Sequence, residues 1–437
     1  MPLYPIFFIL VYIAGTFVAI VKGPVWGLIL YIFVYYNIPS FQWWGEYVPD
    51  LRWSLTTAGI LLVSCVIHSK KLVSHKNSLN APLILLMLLL ILMTFIVPIS
   101  YDIETSKKYL YDFFRYVLMF YLVGRIITDF KQYQHYVMIL IACSGYLFYT
   151  AHGRHIGGRL EGLGLPDAQS ANSFATLVVL IVPLMVAVAL TGKLWQKGIA
   201  VMGLPFAINV LILTRSRGSF MGILMQLIVA MILFRKSKHR KKIIVGVVCV
   251  VILFSVLMDD LFKARLLELQ DNIVQGESAE ASAGRVAIWE YGFRMVRDFP
   301  LGAGGGGFMS LSSRYLPERS LAGTDGQRAS HNTYLLILTE AGWIGFILYL
   351  GFLIVTIYLA YKIIAIKNLN TEDSETQIIT LHATMLIVAL SGFWTAAFFG
   401  DRIYFEGIYL IAAMVPILFR INNYSVSLLK VSKETAN

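Results

Sequence analysis

Residues 218–258, GSFMGILMQLIVAMILFRKSKHRKKIIVGVVCVVILFSVLM, place two apolar runs, 219–234 and 243–258, on either side of the basic octet RKSKHRKK at 235–242. Runs of roughly 17 apolar residues can cross a bilayer as helices. Lys and Arg concentrated between two of them mark a loop on the cytoplasmic side. The rest of the chain follows the same rule. It has 437 residues, of which 58% are hydrophobic and only 14% charged, where a soluble domain keeps roughly a quarter charged. Its mean hydropathy is +0.71. The expected fold is all-α and polytopic.

Working outward, apolar spans read at 5–21, 24–38, 54–68, 82–99, 109–123, 133–150, 172–190, 195–213, 219–234, 243–258, 333–361, 376–397 and 403–420. The first two are separated only by Val21-Lys22-Gly23-Pro24, and one of them can lie at the interface, so the expected count is about 12 or 13. MPLYPIFFILVYIAGTFVAI lacks a basic n-region and runs on into apolar sequence, so no cleavable signal peptide is expected. Cys65, Cys143 and Cys249 fall within spans and read as small buried apolar residues, without a disulfide or metal pattern. Three regions result: amino-terminal spans over 1–258, a long polar interval over 259–332, and carboxy-terminal spans with a tail over 333–437.

With 235–242 inside, alternation puts the loops 69–76, 124–131, 191–198, 361–376 and the tail inside as well, and all of them carry Lys or Arg. The loops 39–53, 100–108, 151–171, 214–218, 259–332 and 398–402 then fall outside. A net charge of +11 thus belongs to membrane loops. No nucleic-acid motif accompanies it, and no nucleic-acid partner is expected. The outside charges are chiefly arginines: Arg154, Arg159, Arg215, Arg217, and in the long interval Arg265, Arg285, Arg294, Arg297, Arg314, Arg319 and Arg328. Lys is a hydrated point charge, whereas Arg is a planar fork that grips phosphate or carboxylate. As a set they point to an anionic partner at the outer face; singly, each can pair with a loop acid.

Several of these positions carry candidate chemistry. In TRSRGS (214–219), Arg215 and Arg217 sit in a short turn between spans, where they either snorkel or clamp a lipid diphosphate. In the amphipathic segment 259–274, Arg265 points into the apolar face and needs a partner there, or lies at the bilayer edge. In GRVAIWEYGFRMVRDFP (284–300), Arg285 shares a face with Trp289, Gly292 and Val296 and is a functional candidate. Glu290 and Arg294 have the spacing of a solvated pair, and Arg297 shares their face. GAGGGG (302–307) lacks the ending of a nucleotide P-loop, leaving either an anion nest or a close-packed turn. His331 precedes a helix that Ser330 or Asn332 can cap. The positive end of that helix favours neutral imidazole, suited to taking a proton, though a capping or interfacial histidine reads equally well.

TRSRGS, GRVAIWEYGFRMVRDFPLGAGGGGF and SHNTYLLILTEAGWIGF together resemble the O-antigen ligase and polymerase superfamily of bacterial envelope proteins, most clearly over 213–351. GRLEGLGLPDAQSANSFATLVV (158–179) is similar to its region before a central span, with Arg159 in an arginine position. The resemblance implies a membrane glycosyltransferase of the bacterial inner membrane, with its site facing the periplasm. Such an enzyme takes glycan from undecaprenyl diphosphate without nucleotide sugar, cofactor or, for the ligases, metal. The family's His and the Gly that follows it map onto His331, as base, and Gly342. Its diphosphate-holding arginines match Arg215 or Arg217, Arg265 and Arg285. The implied acceptor is lipid A–core. A polysaccharide polymerase and a protein O-oligosaccharyltransferase share the same motif. From another class, a flippase for anionic lipids would also need arginines. It would place charges near the bilayer midplane, whereas the spans here carry few.

Overall fold

A computed structural model of the chain describes residues 3–152, 160, 165–167, 169–235, 237, 240–257, 279–317, 321, 326–366 and 374–423. Every segment expected to span is helical: α1 (Leu3–Lys22), α2 (Pro24–Tyr36), α3 (Trp53–Ile67), α4 (Ala81–Ile96), α5 (Ile103–Ile126), α6 (Phe130–His152), α7 (Ala171–Thr191), α8 (Leu194–Thr214), α9 (Arg217–Phe234) and α10 (Arg240–Leu257). The long interval contributes α11 (Ala279–Asp298) and α12 (Gly307–Tyr315). Then come α13 (Thr333–Ile366), α14 (Ser374–Ala397) and α15 (Glu406–Ala412), with residues 414–423 helical beyond a turn at Ala413.

Among the described residues, eight helices are long and apolar enough to cross a membrane by those measures alone, and Trp53–Ile67 is a shorter apolar helix. The remainder of the expected 12 or 13 differ for visible reasons. α5 carries Glu104, Lys107, Lys108, Asp112, Arg115 and Arg125, α6 opens with a polar turn, α10 begins Arg-Lys-Lys, and the last span is divided at Ala413. The chain is a multi-pass, all-α membrane protein.

α14 lies at the centre, largely buried. It packs closely on α9 because glycines face each other: a Cβ on Gly222 would stand 2.7 Å from the Gly392 carbonyl oxygen. Small residues permit such approach where lipid provides no hydrophobic drive. Beside them the buried Gln226 amide donates to the Val179 carbonyl at 2.6 Å. We expect Gln226→Leu to cost about 1 kcal/mol, the worth of one interhelical bond in a membrane, read as a lowered unfolding midpoint in detergent.

Among the described residues, loops expected on the same side bond to one another. On one side the Val73 N–H donates to the Arg125 carbonyl at 2.9 Å, Lys71 Nζ to the Lys22 carbonyl at 3.0 Å, and Arg420 to the Gly124 carbonyl at 2.8 Å. On the other, the Tyr101 N–H donates to the Ala303 carbonyl at 3.0 Å and the Leu160 N–H to the Leu213 carbonyl at 3.0 Å. Cys65 and Cys143 are buried as expected. Cys249 is not: it is exposed on α10, which turns much of its surface away from the bundle.

Candidate active site

α13 is not one straight helix. Gly342 has φ 64° and ψ −168°, which kinks the element between two helical halves. A break leaves backbone groups without their partners four residues away, and buried ones must find others. The segment after α11 supplies them. The Ala303 N–H donates to the Thr339 carbonyl at 2.8 Å, the Gly304 N–H to the Glu340 carbonyl at 3.0 Å, and the Trp343 N–H to the Pro300 carbonyl at 3.4 Å.

This docking decides between the two readings of GAGGGG. Gly302, Gly304 and Gly306 all have positive φ, and a Cβ on Gly302 would lie 2.8 Å from Ala341 Cα, so the tract is a close-packed turn. An anion does sit against it, but the chain provides its own: Glu340 accepts from the Gly306 N–H at 2.7 Å and from Tyr404 Oη at 2.7 Å. Glu340 is buried on a spanning helix, and Glu406 is buried at the start of the short α15, where it accepts from Tyr31 Oη at 2.8 Å. The few acidic side chains that enter the bundle here are each held by hydroxyl or amide donors. Removing the first of them in Glu340→Ala leaves two buried donors unmatched. We expect a loss of about 2 kcal/mol or more in thermal unfolding, with Glu340→Gln milder.

His331 ends the loop before α13. Asn332 caps the helix, its Oδ1 accepting from the Tyr334 N–H at 3.0 Å and the Leu335 N–H at 3.2 Å. Ser330 does other work. Its hydroxyl donates to Asp401 Oδ1 at 2.5 Å, which also accepts the Asn332 N–H at 3.1 Å, while Asp401 Oδ2 accepts the His331 N–H at 3.3 Å. Thr333 Oγ1 donates to the Gly400 carbonyl at 2.6 Å and accepts the Arg402 N–H at 2.9 Å. The loop 398–402 is thereby laced to 330–333. The positive helix end expected to act on the imidazole is shared with the Asp401 carboxylate.

Arg402 is buried and reaches the start of α7, donating to Thr176 Oγ1 at 2.9 Å and Ser173 Oγ at 3.1 Å. Burial pulls its guanidinium down to about 10, with Asp401 opposing, so it stays charged at neutral pH. The turn Arg215-Ser216 joins the same end of the bundle. Arg215 is buried with φ 47°, and Arg217 is half-buried at the start of α9. A Cβ on Gly218 would stand 3.1 Å from Phe399 Cγ, so this turn packs directly on the 398–402 loop.

The structure thus gathers the Arg215–Arg217 turn, the Asp401 loop and His331 at one end of the bundle. Arg285 lies on α11, its side chain outside the described residues. The face expected to carry it packs on α13: Trp289 Nε1 donates to the Ser330 carbonyl at 3.2 Å, and Val296 is buried. Glu290 and Arg294 form the expected exposed pair at 2.7 Å, and Arg297 is exposed. Arg159, Arg265 and Arg319 lie outside the described residues.

The sequence reading missed Asp401 and Arg402, and also Asp167. Asp167 accepts from Tyr35 Oη and, at 2.5 Å, from the Glu406 N–H. Burial raises its carboxyl pKa above the ordinary value, against these hydrogen bonds. The available signal was an acid and an arginine side by side in FFGDRIYFEG, bounded by apolar residues on both sides. Among the described residues no group of three or more His, Cys, Asp or Glu side chains is placed to hold a metal.

Residues 201–350 match the family model described as Wzy_C, O-Antigen ligase. The segment runs from α8 through the Arg215–Arg217 turn and His331 to beyond the kink at Gly342. The resemblance to the O-antigen ligase superfamily stands over these residues, and with it a glycosyltransferase of ligase or polymerase type. No curated protein matches the chain.

Proposed function

We propose that a chain with this O-antigen-ligase segment is an inverting glycosyltransferase. It moves glycan from undecaprenyl diphosphate to an acceptor at the periplasmic face of the bacterial inner membrane, lipid A–core being the expected acceptor. The observation that carries the proposal is backbone strain. Among the described residues the only non-glycine positions with positive φ are Arg215 and His331, one on each of two segments that the 398–402 loop holds together. Non-glycine residues adopt this region uncommonly: Arg215 does so in closing α8, a known helix ending, and His331 where Asp401 holds its amide, the kind of enforced conformation that clusters at functional sites.

In the proposed mechanism, Arg215 and Arg217 hold the diphosphate, with Arg265, Arg285 and Arg159 as further candidates, and the catalytic loop is 259–332. His331 takes the proton of the acceptor hydroxyl as its oxygen attacks the anomeric carbon. The C1–O bond to the diphosphate breaks, and the arginines stabilise the leaving charge. No cofactor or metal enters any step. Asp401 is a positioning residue: its carboxylate fixes the His331 and Asn332 amides rather than touching substrate. Asp401→Asn keeps an acceptor but loses the charge and one of the contacts. We expect kcat to fall about tenfold, one misplaced hydrogen bond's worth, with acceptor KM little changed.

Purified protein in nanodiscs, offered undecaprenyl-diphosphate-linked glycan, tests the reading. Transfer to lipid A–core identifies a ligase. Extension with donor alone identifies a polymerase, and transfer to peptide a protein glycosyltransferase. Movement of intact lipid across vesicles without any transfer would refute the enzyme and identify a flippase.

A further inference from the structure

α1, α2 and α6 do not close on one another along their full length. Near the site end they leave a space of about 270 Å³ lined by Tyr4, Phe7, Phe33, Trp44 and Ile139 among others. Sharing Phe33 and Ile139, a second apolar space of about 290 Å³ continues past Ala14, Gly15, Val18 and Leu30 to Trp26. At Trp26 the chemistry changes: a pocket of about 380 Å³ opens, lined by Lys22, Lys71, Lys131, His135, Gln132 and Asp129. The 20 residues of α1 that flank this path make about 30 Å of helix, close to the ~30 Å of a hydrocarbon core. The groove therefore runs along the membrane depth, with its polar mouth at the end where the lysine loops gather.

The mouth is built rather than incidental. Lys71 Nζ donates to the Lys22 carbonyl at 3.0 Å and the His68 ring bonds the Ile20 carbonyl at 2.8 Å, tying the segment after α3 over the end of α1. Lys22 Nζ stands 5.9 Å from the Trp26 ring, and Trp beside Lys is the usual furniture of a headgroup layer. Three lysines face a single acid, Asp129, so the pocket is complementary to an anion. A free anion would use the pocket and leave the apolar groove unmatched. A molecule with an anionic head and a long apolar chain fits both.

We propose that this groove and pocket bind an anionic phospholipid from the leaflet at the lysine end. Its phosphate sits among Lys22, Lys71 and Lys131, and one acyl chain lies against Ala14, Gly15 and Val18. The site is separate from the His331 end and uses none of its residues. It anchors the amino-terminal hairpin to a lipid of defined charge.

The test is native mass spectrometry of the full chain released from detergent, titrated with phosphatidylglycerol or phosphatidylcholine of identical chains. Wild type retains phosphatidylglycerol at least tenfold more tightly. Lys22→Gln, Lys71→Gln and Lys131→Gln each reduce that preference about fivefold, the effect of one such charge near an anionic headgroup. The three are read singly as well as together, so misfolding of the triple variant leaves the answer intact. Ala14→Phe, at an exposed residue lining the apolar space, narrows the groove and weakens both lipids alike. Equal retention of the two lipids by wild type overturns the proposal, as does a preference unchanged in the lysine variants. Displacement of phosphatidylglycerol by millimolar inorganic phosphate also overturns it, by making the pocket one for free anions.

Discussion

Replacing His331 with alanine lowers the transfer rate by roughly 10² to 10⁴, the range spanned by loss of a positioned general base, while the protein folds as before. The two halves of that expectation rest on different atoms. Folding at this point uses the backbone: the His331 and Asn332 amides and the Ser330 hydroxyl reach Asp401. Alanine keeps all three bonds. The left-handed backbone at His331, φ 51°, suits alanine somewhat less than histidine. His331→Asn separates backbone from base more sharply still, because Asn adopts this conformation more readily yet provides no base. Both variants should elute and melt like wild type in detergent, retain donor lipid, and fail in transfer. Full activity in either removes His331 from the mechanism.

The second large effect is on the fold. Gly342→Val meets two obstacles at once. Its φ of 64° with ψ −168° is a region open essentially to glycine alone. A Cβ there would collide with the Pro300 carbonyl oxygen and lie 2.6 Å from the Leu301 carbonyl carbon. The backbone around it has no slack, since 300–304 is bonded to 339–343 on both sides. We expect a loss of roughly 3 kcal/mol or more from strain and overpacking together, with the glycine tract undocked and activity lost. Gly351→Ala on the same helix is the control: its Cβ would meet Leu85 Cδ1 at an ordinary 3.6 Å. If Gly342→Val unfolds at the control's temperature, the kink is not what holds this region. Gly342 is thus a structural member of the motif, setting the shape of the helix that presents His331.

Much of the architecture was legible because hydropathy and loop charge are local properties. RKSKHRKK between two apolar runs marks a loop, and among the described residues loops assigned to one side bond to one another. Glu290 with Arg294 was legible for the same reason, since the interaction lies within one turn of helix. What could not be read is pairing across the chain. Asp401 is 70 residues from His331, and nothing in GDR distinguishes an acid that grips a distant helix start from an ordinary loop residue. Glu340 likewise looked like a lone acid in TEAGWIG. Only the docking of 300–304 at the helix break brings the Gly306 N–H to it, beside Tyr404 Oη. Cys249 was misjudged because span membership does not say which face of a helix meets lipid.

If glycan transfer is a single in-line displacement at the end of the bundle where His331, Asp401 and the Arg215–Arg217 turn converge, the new linkage carries its signature. That signature is the anomeric configuration of the newly formed linkage. Nuclear magnetic resonance of the product made by purified protein from a donor of known configuration should show inversion at C1, with one undecaprenyl diphosphate released per linkage. Retention of configuration would mean two displacements or a front-face attack, neither of which is the single in-line step proposed for His331.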